Sequence, residues 1–73
     1  MTSLPTLKSR QVIRVLIRIG FIEHRHKGSH KIFKRDNQRV VVPIHNRDLK
    51  KGTVKNIIDQ TGLTVDEFLN LLK

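Results

Sequence analysis

The chain has 73 residues, of which 37% are apolar, and these values suit one small globular domain spanning residues 1–73. It contains no cysteine, which excludes disulfides and thiolate metal sites, and no apolar run approaches the roughly 20 residues that cross a bilayer. Residues 1–8 contain no apolar signal-peptide core, so we expect a cytoplasmic protein that does not engage a membrane.

Positive charge dominates the composition. Fifteen Lys and Arg residues stand against six Asp and Glu residues, which gives a formal net charge of +9 with histidine neutral. Residues 1–55 carry fourteen of the basic residues and three of the acidic ones. Such an excess on one small domain is typical of a protein that binds a polyanion, and it favours a nucleic-acid partner.

The first half of the chain predicts a helix followed by three strands. Residues 8–19 place apolar residues at helical spacing, with Ser9 as the expected N-cap and Gly20 as the expected stop. Residues 21–34 predict a hairpin around a turn at residues 27–29, and residues 36–38 predict a second turn. Residues 39–44 contain three consecutive valines, which favour a strand that ends near Pro43.

The second half predicts two helices. Thr53 is the expected N-cap of the first, and Gly62 is the expected end. Thr64 and Glu67 predict a capping box at the start of the second. The order α-β-β-β-α-α predicts an α+β fold, with helices on one face of a three-stranded antiparallel sheet.

Several kinds of catalytic chemistry have no support in the sequence. The acidic residues are scattered, which disfavours a two-metal carboxylate site. His24 and His26 would share one face of a regular strand, yet Arg25 and its basic neighbours would repel a cation and no third ligand follows. Phosphate-binding glycine loops are absent as well. We therefore expect neither a metal nor another cofactor.

His30 is the candidate catalytic residue. It follows the tight Gly28–Ser29 turn and lies in the sequence among Lys27, Lys31 and Lys34, whose positive charge disfavours the imidazolium form. A neutral imidazole accepts a proton, and RNA supplies its own nucleophile in the 2′-hydroxyl group. The residues alone fit a structural role for His30, at the start of a strand, equally well.

Two further features complete the candidate site. Lys50, Lys51 and Lys55 surround the start of a predicted helix, where free N–H groups and the helix dipole already favour a phosphate. His45 ends the valine strand and is either an accessory site residue or a structural one. Arg10, Arg14 and Arg18 form a second possible basic stripe, on the first helix.

Three stretches together resemble the HicA family, the mRNA-cleaving toxins of HicA–HicB toxin–antitoxin systems. They are GFIEHRHKGSHKIF, VVVPIH and LKKGTVKNIIDQTGLTVDEFLNLL, which lie between residues 20 and 72, and the resemblance as a whole covers roughly residues 8–72. Two positions depart from the family pattern. Lys31 stands where many members have a second histidine, and Asn46 stands where many have glycine.

The resemblance implies a fold like that of the double-stranded-RNA-binding domain, and RNA cleavage by one essential histidine, which corresponds to His30. It also implies that Gly28 and Ser29 shape the turn that presents His30. It further implies a HicB antitoxin that covers the active surface until the antitoxin is degraded. His45 matches a second recurrent histidine of the family.

The predicted function is therefore a metal-independent endoribonuclease toxin, with phosphate contacts from Lys27, Lys31, Lys34 and the lysines at positions 50, 51 and 55. One alternative is an RNA-binding module of the same fold without catalysis. The other is a DNA-binding helix-turn-helix over residues 53–72. It is disfavoured because Asp66 and Glu67 would carry negative charge into the groove.

Overall fold

A computed structural model describes residues 3–73 and confirms the predicted order of elements. Helix α1 is followed by a three-stranded sheet and then by helices α2 and α3. Their bounds are α1 Ser9–Arg18, β1 Ile22–Lys27, β2 His30–Arg35, β3 Gln38–Pro43, α2 Lys51–Thr61 and α3 Val65–Asn70. In this part of the chain, no helix has the length and apolar character that a membrane span requires.

The sheet is antiparallel with β2 in the centre, and its two faces differ sharply. One face carries Phe33, Val40 and Val42, which are fully buried. Both α1 and α2 contact β3 and cover this face, completing the hydrophobic core. Among the described residues, no helix covers the opposite face. We call it the open face; its register positions are Ile22, Arg25, Lys27, His30, Ile32, Lys34, Arg39, Val41 and Pro43.

Two predicted helix starts are wrong. The N-cap of α1 is Lys8, whose backbone N–H donates to the Gln11 side chain at 2.8 Å, while Ser9 is already the first helical residue. Helix α2 begins at Lys51 with Lys50 as its N-cap, so Thr53 lies inside its first turn. Threonine favours caps because its side chain accepts a hydrogen bond from the backbone, but the extended backbone that a cap needs occurs at Lys50.

The helix ends and the last cap follow the sequence signals. Gly62 ends α2 in the left-handed conformation, with φ of 82°, and Gly20 follows α1 with φ of 99°. Thr64 and Glu67 form the predicted capping box, in which each side chain bonds the other's backbone N–H, at 3.1 and 2.8 Å. These contacts fix where α3 starts against the core.

Arg35 joins three elements at the end of the sheet remote from His30. Its guanidinium lies 4.7 Å from the centre of the Phe21 ring and donates to the Ile19 carbonyl at 2.6 Å. It also donates to the Gln38 side chain and to the Thr61 carbonyl at the end of α2. One of the basic residues therefore serves the fold rather than a ligand.

Candidate nucleic-acid interface

The turn between β1 and β2 presents the candidate histidine. Gly28 and Ser29 form a two-residue connection between Lys27 and His30, which are register partners. Gly28 has φ of 59°, a conformation that favours glycine and is characteristic of tight hairpin turns. The Ser29 carbonyl accepts a hydrogen bond from the Ile44 N–H at 2.6 Å, which ties this turn to the segment after β3.

His30 lies on the open face and is exposed to solvent. Its register partners are Lys27 on β1 and Pro43 on β3, so the three side chains form one row across the sheet. This row is the end of the sheet next to the Gly28–Ser29 turn. An exposed imidazole with an ammonium group on one neighbouring strand suits both proton transfer and contact with a phosphate.

Lys31 follows His30 in sequence but projects to the other face, because successive strand residues alternate. Its register partners are His26 and Val42, and its ammonium group lies 3.3 Å from the Glu23 carboxylate. This partly exposed ion pair offsets part of the positive charge of Lys31. The structure therefore does not bring Lys31 to the side of the sheet that His30 occupies.

Lys34 shares the open face with His30, and cations from the other strands join it there. Its register partner on β3 is Arg39. A shallow cleft of about 350 Å³ is lined by His24, Arg25, Ile32, Lys34 and Arg39. Sequence reasoning did not identify Arg25 and Arg39 as site residues, because the faces of their strands could not be assigned from the sequence. The alternation of side chains along each strand and the register of the strands bring these cations onto the face of the sheet that His30 occupies.

A bulge in β1 separates His24 from His26. Glu23 pairs with Phe33, and Arg25 pairs with the adjacent residue Ile32, so His24 is the additional residue. The regular alternation that would place both histidines on one face is broken there, so that expectation is wrong. Within residues 3–73, no three His, Asp or Glu side chains are grouped as metal ligands.

His45 lies two residues beyond Pro43, at the same end of the sheet as His30. It is exposed and lines a cleft of about 470 Å³ with Lys8, Ser9, Arg10, Ile44 and Asn46. The Lys8 ammonium donates to the Asn46 carbonyl at 2.9 Å and pairs with Asp48 at 3.2 Å. These contacts hold the loop that carries His45 against the start of α1.

The lysines of α2 form a separate cationic region. Lys50 and Lys51 are exposed at the start of the helix, and Lys55 pairs with Asp59 one turn later, at 2.5 Å. Lys51 and Lys55 line a cleft of about 700 Å³ together with Ser3, Leu4, Thr64, Val65 and Asp66. This cleft includes neither His30 nor any residue of the sheet.

The three arginines of the basic stripe on α1 are all exposed, but they differ in their contacts. The Arg18 guanidinium donates to the Leu71 and Lys73 carbonyls, both at 2.7 Å. Arg18 thus ties α1 to the segment that follows α3, and the stripe does not present three equivalent cations.

Comparison with known proteins gives the family. A sequence model described as the HicA toxin of bacterial toxin–antitoxin systems matches residues 9–63 of the 73-residue chain. The chain belongs to the HicA toxin family. The match runs from the start of α1 to just beyond α2 and includes the hairpin, His30 and the α2 lysines. No curated protein matches the chain.

Membership of this family makes the chain the toxin component of a toxin–antitoxin system, and it implies a cognate antitoxin. It is also consistent with a nuclease-type toxin. On the open face, Lys27 and His30 are exposed and lie in one row with Pro43, and a cationic cleft lies on the same face.

The positive φ of Gly28 can be tested by measuring the stability of a variant. Replacing Gly28 with alanine will destabilise the protein by about 1–2 kcal/mol, because a side chain is disfavoured at positive φ. No atom lies within 4 Å of the added Cβ, so the cost is one of backbone conformation. Urea unfolding of Gly28→Ala and wild type measures it.

Gly52→Ala is the matched control, because its added Cβ also meets nothing and Gly52 lies within α2. We expect this variant to be more stable than wild type by about 0.5 kcal/mol, since alanine favours a helix. Equal unfolding free energies for Gly28→Ala and wild type would contradict the assigned turn conformation.

Proposed function

We propose that this toxin is a metal-independent endoribonuclease that cleaves mRNA, with His30 as its general acid or base. The observation that carries the proposal is the place of His30. It is the exposed histidine at the turn end of a cationic sheet face, in a chain of a toxin family. RNA brings the nucleophile, so the protein needs to supply a proton acceptor and phosphate-binding cations.

The reaction begins when the His30 imidazole takes the proton of a ribose 2′-hydroxyl. The 2′-oxygen then forms a bond to the adjacent phosphorus, and the bond from phosphorus to the 5′-oxygen of the next nucleotide breaks. That leaving oxygen takes up a proton from water and becomes a 5′-hydroxyl group, and the His30 imidazolium returns its proton to water. The other product carries a 2′,3′-cyclic phosphate. Lys27, directly across the hairpin from His30, stabilises the negative charge that develops on the phosphate.

The RNA backbone would cross the open face along β2. From His30 to Lys34 the strand rises about 13 Å, and Arg25 and Arg39 flank this path. Gly28 and Ser29 leave the entry to His30 free of bulky side chains. Lys31, at the opposite face, and Lys50, Lys51 and Lys55, at the start of α2, are proposed to contact phosphates further along the RNA.

The distribution of acidic side chains in residues 3–73 supports the proposal that cleavage needs no metal. Of the six acidic residues, Glu23 pairs with Lys31, Asp48 with Lys8 and Asp59 with Lys55. Glu67 holds the capping box of α3. The acids are thus spread over the fold rather than gathered beside His30, and positive charge around His30 disfavours a divalent cation.

Substitution of His30 tests the proposed activity. His30→Ala will lower the rate of cleavage of end-labelled RNA, with EDTA present, by about 10²- to 10⁴-fold, which is the usual contribution of one positioned base. RNA binding, measured by fluorescence anisotropy, will change little because the cations remain.

His26→Ala is the matched control, because His26 is also exposed on the hairpin but pairs with Lys31 at the other face. We expect it to cleave like wild type. If His30→Ala folds normally and cleaves at the full rate, His30 is not the catalytic residue. Intact RNA after long incubation with wild type would leave RNA binding alone.

We further propose that the cognate antitoxin is of the HicB type and covers the open face. Two exposed aliphatic side chains lie on this face, Ile22 at 73% exposure at the start of β1 and Val41 at 37% on β3, and cationic residues occupy neighbouring register positions. None of its register positions carries an acidic residue. An apolar patch with a charged rim is the usual composition of a protein interface, and it fits an acidic partner that would bury His30.

Ionic strength and one apolar substitution test this interface. The association rate of toxin and antitoxin, measured by stopped flow, will fall at least about tenfold from low salt to about 1 M salt, where screening acts over about 3 Å. Ile22→Ser will weaken binding by about tenfold.

Ile17→Ser is its control, because Ile17 is 58% exposed on α1, at the other side of the sheet. It should leave affinity unchanged. A salt-independent rate, or equal effects of the two isoleucine substitutions, would contradict an antitoxin seated on the open face.

A further inference from the structure

Ser9 makes a contact that its sequence position does not suggest. It lies at the first position of α1, and with Lys8 as the N-cap its side chain is not used for capping. Its hydroxyl instead donates to the Pro43 carbonyl at 2.6 Å, across 34 residues of sequence. The residue is only 5% exposed. The buried Ser9 hydroxyl thus donates its hydrogen bond to the last residue of β3.

The pairing of β2 with β3 explains why the Pro43 carbonyl needs this donor. Antiparallel pairs alternate between hydrogen-bonded and non-hydrogen-bonded positions. The Ile44 N–H bonds the Ser29 carbonyl, so the next pair, His30 with Pro43, is of the non-hydrogen-bonded kind. In such a pair the backbone polar groups point away from the partner strand. Proline has no N–H to satisfy there, but its carbonyl lacks a strand partner because β3 is an edge strand.

We propose that Ser9 is a positioning residue for His30, acting through Pro43. Side chains of a non-hydrogen-bonded pair approach closely, with Cα atoms about 4.5 Å apart, so the Pro43 ring forms one wall beside the imidazole. The Ser9 hydroxyl fixes that wall to α1. The Ile44–Ser29 hydrogen bond then couples the same segment to the turn that precedes His30. This inference rests on the proposed ribonuclease activity of His30.

Loss of the Ser9 hydroxyl will reduce the rate of chemistry rather than RNA affinity. The cations of the open face stay in place in Ser9→Ala, so KM remains within about twofold of wild type. We expect kcat to fall by about 10- to 100-fold, because small displacements of a reacting group have effects of that size. Ser9→Cys keeps the shape of the side chain but donates only weakly, and its kcat will fall as well.

Thr64→Ala controls for stability, because it removes a helix cap in α3 and leaves Pro43 untouched. If the Ser9 effect came from general destabilisation, Thr64→Ala would lower kcat equally. We expect it to retain the kcat of wild type at a temperature where both proteins are folded.

NMR spectroscopy gives a readout that does not depend on RNA cleavage. In Ser9→Ala the His30 ring resonances will shift and the Ile44 amide proton will exchange faster, while Thr64→Ala will change neither. If Ser9→Ala does not fold, Ser9→Cys takes its place in both measurements. Unchanged His30 resonances together with an unchanged kcat would overturn the positioning role. Absence of cleavage by wild type would overturn the ribonuclease proposal instead, and the NMR comparison would still test the contact.

Discussion

Strand β2 is hydrogen-bonded to a neighbour on each side, and the register of these two pairings determines what surrounds His30. A shift of either partner by one residue would exchange the two faces of that strand. In the observed register, Phe33 meets Val40 in the core, and His30 lies between Lys27 and Pro43 at the other face. The burial of Phe33 and Val40 on the core face thus fixes the position of His30 on the open face.

The distribution of charge follows from the same constraint. One face of the sheet is covered by α1 and α2, so the cations of the strands collect at the other face or are engaged in the fold. Arg35 binds backbone carbonyls and Lys31 pairs with Glu23, whereas Lys34 and Arg39 stay exposed side by side. Net charge alone therefore overstates the number of cations that are free of contacts within the fold, and the open face holds a well-defined subset of them.

Local signals in the sequence were sufficient for the order of elements and for several boundaries. Gly62 and the Thr64 capping box depend on neighbouring residues alone, and both were predicted correctly. The start of α2 was not, because Thr53 is a good cap in isolation while the chain turns into the helix at Lys50. The resemblance to the HicA family implied His30 as the essential residue, a role that stays a proposal.

The faces of the hairpin could not be predicted, because they depend on register and on one bulge. The additional residue at His24 changes the alternation of β1, and no local pattern in the sequence predicts this bulge. Arg25 and Arg39 come together in one cleft, on the face that His30 occupies, only through the register of the three strands. The contact of Ser9 with Pro43 likewise spans 34 residues and needs the packed structure to be seen.

The chemistry of the RNA ends is the most direct test of a histidine that activates the 2′-hydroxyl of its substrate. Fragments produced by the purified wild-type toxin in EDTA should be analysed by mass spectrometry. The account predicts a 2′,3′-cyclic phosphate, or the monophosphate formed when it hydrolyses, on one fragment and a 5′-hydroxyl on the other. Fragments that carry a 3′-hydroxyl and a 5′-phosphate would show attack by water and would contradict it.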